Sequence, residues 1–232
     1  MVATKWWPLF RFASSIGTTV DERLRCLDGF DIDLYQVHQP FSLSSTRTEM
    51  EEMAYLVTSR KIHSVGVSNF GAKAMRKAHA ALAEHGLPLA SNQVRYNLLN
   101  RHIESNGVLE TAKELGITVI AYSPLAQGLL SGKFHDAPEL LNKVAGPRRF
   151  FPAFSIGNLE KIQPLILAIK DIAHAHAATA SQVALAWLTQ FHGDTVVAIP
   201  GATKVTHVAE NVAAMKLSLD RGELDEIDRL SR

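Results

Sequence analysis

Cysteine is almost absent from this sequence: Cys26 is the only one among 232 residues. A single thiol excludes a disulfide framework and a thiolate-held metal cluster, and it fits a reducing compartment. Excess charge of either sign is missing too. Twenty-four Lys and Arg stand against 23 Asp and Glu, a formal net charge of +1. That balance argues against a nucleic-acid-binding stripe or a polybasic membrane anchor. No apolar run approaches the ~18 residues that span a bilayer, and the opening Met1–Pro8 lacks the basic and apolar segments of a signal peptide. No Pro/Gly/Ser-rich linker, G-x-G-x-x-G or Walker A sequence occurs. These absences predict a soluble, cytoplasmic globular protein with no nucleic-acid or membrane partner. Residues 1–232 are enough for one domain with a sizeable core.

Apolar residues make up 47% of the chain, and their order carries the architecture. Short β-rich runs fall at Met1–Thr4, Ile32–His38, Ser64–Ser68, Ser91–Tyr96, Thr118–Tyr122 and Thr195–Ile199. Helical patterns lie between them. Thr46-Arg-Thr-Glu49 has the spacing of a capping box opening a helix to Ser59, and Thr179-Ala-Ser-Gln182 opens one through Phe191. Lys73–His85 ends at Gly86 and Glu104–Leu115 at Gly116, while Lys204–Met215 and Asp220–Leu230 complete the set. Long loops are expected after His38, after Tyr122 and between Gly132 and Asn158. Strands alternating with helices predict parallel strands joined by crossovers, and apolar strands predict that both faces are covered. Polar residues and glycines gather just past the strand ends, where parallel α/β proteins build their sites. A site spread over so many loops favours a barrel over an open doubly wound sheet.

Six stretches, in order and each at a strand end, resemble the aldo-keto reductases. They are Val2-Ala-Thr-Lys5, Asp33-Leu-Tyr-Gln-Val-His38, Gly66-Val-Ser-Asn-Phe70, Asn92-Gln-Val-Arg-Tyr-Asn97, Ala121 to Lys133, and Ile199-Pro-Gly-Ala202 with Ala209-Glu-Asn211. The resemblance covers nearly the whole chain. It implies an α/β fold of the TIM-type (β/α)8 barrel family and NADPH-dependent reduction of an aldehyde or ketone to an alcohol. Only about six βα units are legible, so an incomplete barrel is expected, beginning at what the family would count as its third strand.

In that family a Tyr gives a proton to the carbonyl oxygen, a Lys and an Asp tune the Tyr, and a His orients the carbonyl. A phenol with a pKa near ~10 exchanges its proton poorly at neutral pH, and an adjacent ammonium favours the phenolate. The resemblance makes Lys5 the tuning lysine and His38 the orienting histidine. Taken alone, Lys5 reads as a solvated strand-end cation and His38 as a structural, hydrogen-bonded residue. Ser68, Asn69 and Gln93 match the set that bonds the nicotinamide carboxamide, which needs donors and acceptors together; Ser68-Asn69 also reads as a helix cap. Tyr122 matches the ring that stacks on the nicotinamide, or it packs at a strand end. Ser123, Pro124, Leu125, Gln127, Gly128 and Lys133 match the segment over the pyrophosphate, against the alternative of an ordinary flexible loop. Gly201, Thr203, Lys204, His207, Glu210 and Asn211 match the adenosine end. A helix start with Thr and Lys suits the 2′-phosphate of NADP, although His207 stands where many relatives carry Arg or Gln.

The family's Asp and Tyr belong to a stretch resembling Asp-Thr-Ala-x-x-Tyr-Gly upstream of the Lys strand, and these 232 residues contain no counterpart. Tyr35, Tyr55, Tyr96 and Tyr122 all lie outside that motif. Three readings follow: a reductase of a small-molecule carbonyl, a weak or inactive NADP-binding regulatory subunit like the potassium-channel β subunits, or a fragment. A homo-oligomer through the open barrel edge is expected in the last case. The loops Gln39–Ser45 and Pro138–Ser155, with Trp6 and Trp7, would set the substrate without naming it. His174 and His176 are spaced by two, which puts them on different helix faces, and no metal site is expected. These and the remaining histidines read as solvated or capping residues.

Overall fold

The computed structural model describes residues 1–144 and 146–232. Ala145, within the expected substrate loop Pro138–Ser155, lies outside the described residues. Two compact units are present, residues 1–94 with 102–120 and residues 95–101 with 121–232. Strands β1 (Ala3–Trp6), β2 (Leu34–Val37), β3 (Ser64–Ser68) and β4 (Leu89–Arg95) run parallel, each paired with the next. With β5 (Thr118–Tyr122) and β6 (Val196–Ile199) the strand order among the described residues is β1-β2-β3-β4-β5-β6. The expected α/β architecture of an incomplete TIM-type barrel is therefore the observed one. Lys5, expected just beyond the first strand, sits inside it.

The first unit also holds α1 (Ser15–Cys26), α2 (Thr46–Thr58), α3 (Ala72–Ala83) and α4 (Val108–Leu115). Strand side chains alternate between faces, and one face belongs to the helices: Trp6 Nε1 donates to Ser15 Oγ at 3.0 Å, and the Tyr35 hydroxyl shares a 3.3 Å hydrogen bond with Thr19 Oγ1. The opposite face carries a polar layer. In register across four strands run Lys5, Gln36, Gly66 and Ser91. Glycine is needed in that row, because a Cβ on Gly66 would stand 2.5 Å from Ser91 Oγ and 3.1 Å from Gln36 Cγ.

Several local expectations are corrected. The first helix box does not form at Thr46. Ser45, with extended backbone, accepts from the Thr48 N–H, and Thr46 is already helical. Glu104–Leu115 is not one helix, because Gly107 at φ 84° separates a 3₁₀ turn at His102–Glu104 from α4. Helix α1 follows β1, where the sequence shows only a narrow stripe; Ile16 and Val20 alone are buried in it. Nor is Gly132–Asn158 a loop throughout. It contains α5 (Lys133–Asp136), short 3₁₀ turns and the start of α6 (Ile156–Ala175).

In the second unit, α6 buries Leu159, Ile162, Leu165, Ile166, Ile169 and Ile172, a stripe at helical spacing. Pro164 sits inside it and removes one backbone donor. Helix α7 (Ala180–Gln190) opens with the expected Thr179/Gln182 capping box. Helix α8 (Val205–Ala213) has no buried residue, and α9 (Arg221–Leu230) opens with a box of Asp220 and Glu223. Arg101 ties the C-terminal helix down, donating to the Asp228 carbonyl at 3.0 Å and carboxylate at 2.5 Å while lying 4.9 Å over Trp187. Among the histidines of this unit, His176, which caps the end of α6 as expected, also meets Glu223 at 2.7 Å, while His192 meets the Tyr96 hydroxyl at 2.9 Å and His135 the Leu159 carbonyl at 3.0 Å. No helix among the described residues is long and apolar enough to cross a membrane.

Candidate active site

In the first unit the polar face of the sheet gathers five residues singled out from sequence. Lys5 is half-buried in β1, and burial lowers its pKa from the ordinary lysine value. His38 follows β2 directly; its N–H donates to the Trp6 carbonyl at 3.0 Å, and its ring meets Trp7 edge-on at 4.9 Å. Burial and then the charge of Lys5 hold the imidazole below its ordinary pKa. A neutral imidazole keeps one N–H to donate and one nitrogen to accept at neutral pH.

Ser68 ends β3 and is paired in register with Gln93 of β4. Its hydroxyl donates to the Gln93 carbonyl at 2.8 Å, and the next N–H, of Asn69, donates to the same carbonyl at 2.9 Å. Asn69 holds a left-handed backbone at φ 59°, which turns its amide back to donate to Ser68 Oγ at 3.1 Å and to the His38 carbonyl at 3.4 Å. Asparagine tolerates that backbone better than most residues. The alternative reading of Ser68-Asn69 as a helix cap is overturned. The cap of α3 is Gly71, which brings no side-chain hydrogen bond to the helix start.

Gln36 was not among the residues expected at the site. Its one sequence signal is an amide in the middle of an apolar strand, Asp33-Leu-Tyr-Gln-Val-His38. It is fully buried, and its Nε2 donates to the Val67 carbonyl at 3.2 Å and to Ser91 Oγ at 3.4 Å. Its Oε1 has no partner among the described residues.

The second unit holds the remaining candidates in two groups. Tyr122 closes β5, and the chain then turns through residues with positive φ: Ser123 (53°), Ala126 (47°), Gln127 (57°) and Gly128 (95°). Asn97 Nδ2 anchors the turn by donating to the Ser123 carbonyl at 2.8 Å. Pro124 is buried, Leu125 half-buried and Gln127 exposed. A Cβ on Gly128 would come 3.2 Å from Lys133 Nζ, so this glycine leaves room for the ammonium folded over it. The segment expected as a flexible loop in the alternative reading is thus a turn with defined hydrogen bonds.

The other group surrounds the start of α8. Gly201, Thr203 and Lys204 are exposed; Lys204 is the extended residue before the helix, and the Thr203 N–H donates to His207 Nδ1 at 3.5 Å. Glu210 is exposed, and its carbonyl accepts from Gln182 Nε2 at 3.2 Å. Asn211 faces a groove of about 580 Å³ beside β6, with Val197, Val208, Val212 and Met215 on its walls. No group of three metal-ligating side chains gathers among the described residues.

Known proteins resemble this chain along its whole length. The sequence profile of the Aldo/keto reductase family matches residues 1–232. An uncharacterised oxidoreductase of Mycobacterium bovis is 39% identical over 232 residues, covering all of this chain and 69% of that protein. The aldo-keto reductase str7 of Strobilurus tenacellus is 36% identical over 202 residues, 86% of this chain and 58% of that protein. Among solved structures, the thermostable aldo-keto reductase Tm1743, in complex with the inhibitor epalrestat, superposes with a TM-score of 0.76 at 28% identity, over 98% of this chain and 70% of that one. By sequence and by fold alike, this chain belongs to the aldo/keto reductase family of oxidoreductases.

Proposed function

We propose that this chain is a cytoplasmic, NADPH-binding carbonyl reductase subunit acting on a small aldehyde or ketone. The observation that carries the reading is the polar face on which Lys5 and His38 accompany the Ser68, Asn69 and Gln93 set. The residues present suit the cofactor. Hydroxyl and amide groups match a carboxamide, Gly128 keeps a backbone approach open under Lys133, and Thr203 and Lys204 precede a helix start that suits a 2′-phosphate over NAD. NADPH, when bound, supplies the hydride. The neutral His38 imidazole orients the carbonyl oxygen, and the Lys5 ammonium lends positive potential where that oxygen gathers charge.

A second reading, a cofactor-binding subunit with little turnover, is favoured by the tyrosines. Tyr35 turns to the helix face, Tyr55 is exposed on α2, and the Tyr96 hydroxyl is bonded to His192. Neither Tyr35 nor Tyr55 shares the Lys5 face. NADPH fluorescence titration followed by NADPH oxidation with a reactive aldehyde separates the readings. The 232-residue chain is expected to bind NADPH and to turn over roughly a hundredfold or more slower than a full-length relative, the usual scale for losing a general acid. Absence of binding at millimolar NADPH would remove the cofactor assignment. Turnover equal to a relative's would show that the Asp and Tyr are dispensable.

A further inference from the structure

The polar layer contains a donor without an acceptor beside an acceptor without a donor. Lys5 makes no hydrogen bond or ion pair among the described residues, although burial lowers its pKa. Gln36, its register neighbour on β2, is fully buried with Oε1 unpartnered. The amide cannot be turned the other way to relieve this. Its nitrogen faces the Val67 carbonyl at 3.2 Å, and a carbonyl only accepts. Space for the amide is built into the sheet, since Gly66 is the register partner of Gln36 and a Cβ there would press on both Gln36 and Ser91. Leaving a buried acceptor unpaired costs about 1–3 kcal/mol, so an arrangement that keeps one beside an amine calls for a reason.

We infer that Gln36 is the positioning residue of Lys5: its Oε1 is the acceptor toward which the Lys5 side chain turns, holding the amine on the His38 side of the sheet and keeping it protonated. Register alone places the two side chains on one face about 5 Å apart at their bases, within reach of a lysine and an amide. An acceptor bonded to the charged form favours that form, so Gln36 counteracts the burial of Lys5. This role rests on the proposed catalytic part of Lys5, but its test needs neither cofactor nor turnover.

The test is the titration of Lys5, followed by NMR of ¹³C-labelled lysine ε-methylene groups and assigned with Lys5→Arg. Gln36→Leu removes the acceptor and is expected to lower the Lys5 pKa by about one unit, a tenfold change in the protonation constant. Gln36→Glu is expected to raise it by at least as much. Ser91→Ala disturbs the same layer while leaving Oε1 in place, and is expected to leave the Lys5 titration unchanged. An unchanged Lys5 titration in Gln36→Leu, or a shift in Ser91→Ala as large as in Gln36→Leu, overturns the inference. Should Gln36→Leu fail to fold, Gln36→Met keeps the side-chain length without the acceptor and carries the same expectation. A shifted titration in a chain that does not bind NADPH would uphold the pairing while removing the reductase reading.

Discussion

Glu49 is a carboxyl placed where water cannot reach it. It lies in the first turn of α2 with 2% of its surface exposed, and burial pushes its pKa up to about 7 against a weaker opposing hydrogen bond from Ser42. The folded state therefore favours the neutral acid. That contribution is fully present below the ordinary carboxylate value of about 4.5 and is lost as pH rises through about 7. Stability in urea is expected to fall between pH 5 and pH 8 by up to about 3 kcal/mol. Glu49→Gln should flatten that dependence and unfold at higher urea than the parent at pH 8. A parent curve already flat from pH 5 to 8 would contradict the burial argument. Its burial, like that of Gln36, is invisible in the local sequence, where Glu49 reads as the far member of a capping box.

Helix starts show how local chemistry and tertiary context divide the work. At α7 the Thr179/Gln182 box forms as its spacing predicts, because both partners lie within one turn and need nothing else. At α2 the same kind of pattern misleads by one residue: Ser45 caps and Thr46 does not, leaving Glu49 free to be buried. Ser45→Ala is expected to cost about 1 kcal/mol, and Thr46→Ala less than about 0.5 kcal/mol, in thermal unfolding. Equal losses would return the cap to Thr46. Strands were legible because buried parallel strands are short apolar runs bounded by glycine and polar residues. Two helices were not. The α1 stripe is only two residues wide, and α6 is interrupted by Pro164, a residue that reads as a break although the neighbouring buried leucines and isoleucines hold the helix together.

For the molecule as a whole, the open row of strands has a consequence. Strand β1 pairs only with β2 among the described residues, and beside β6 an apolar groove of about 580 Å³ lies against α8, where Val205, Val208 and Val212 are exposed, as is Met215 just past the helix. Unpaired edges and contiguous apolar surface favour association. The 232-residue chain is expected to sediment above its 25.5 kDa monomer mass at micromolar concentration. Val208→Glu with Val212→Lys should shift it toward monomer. A monomer at all concentrations would mean that the edge is protected.

The sequence by itself determined the α/β class, the positions of the six strands to within a few residues, the cap of α7, and the motif set that leads to the family. These are properties of contiguous residues, written in periodicity, turn chemistry and spacing. Only the tertiary structure decided that Gly66 stands opposite Gln36, that Gln36 and Glu49 are buried, that Asn69 reaches back to His38, and that Tyr35 turns from the Lys5 face. Each of those depends on strand register and on which face a helix covers, and both are set by partners such as Thr19 for Tyr35, 16 positions away, and Ser91 for Gln36, 55 away, rather than by neighbours in the chain.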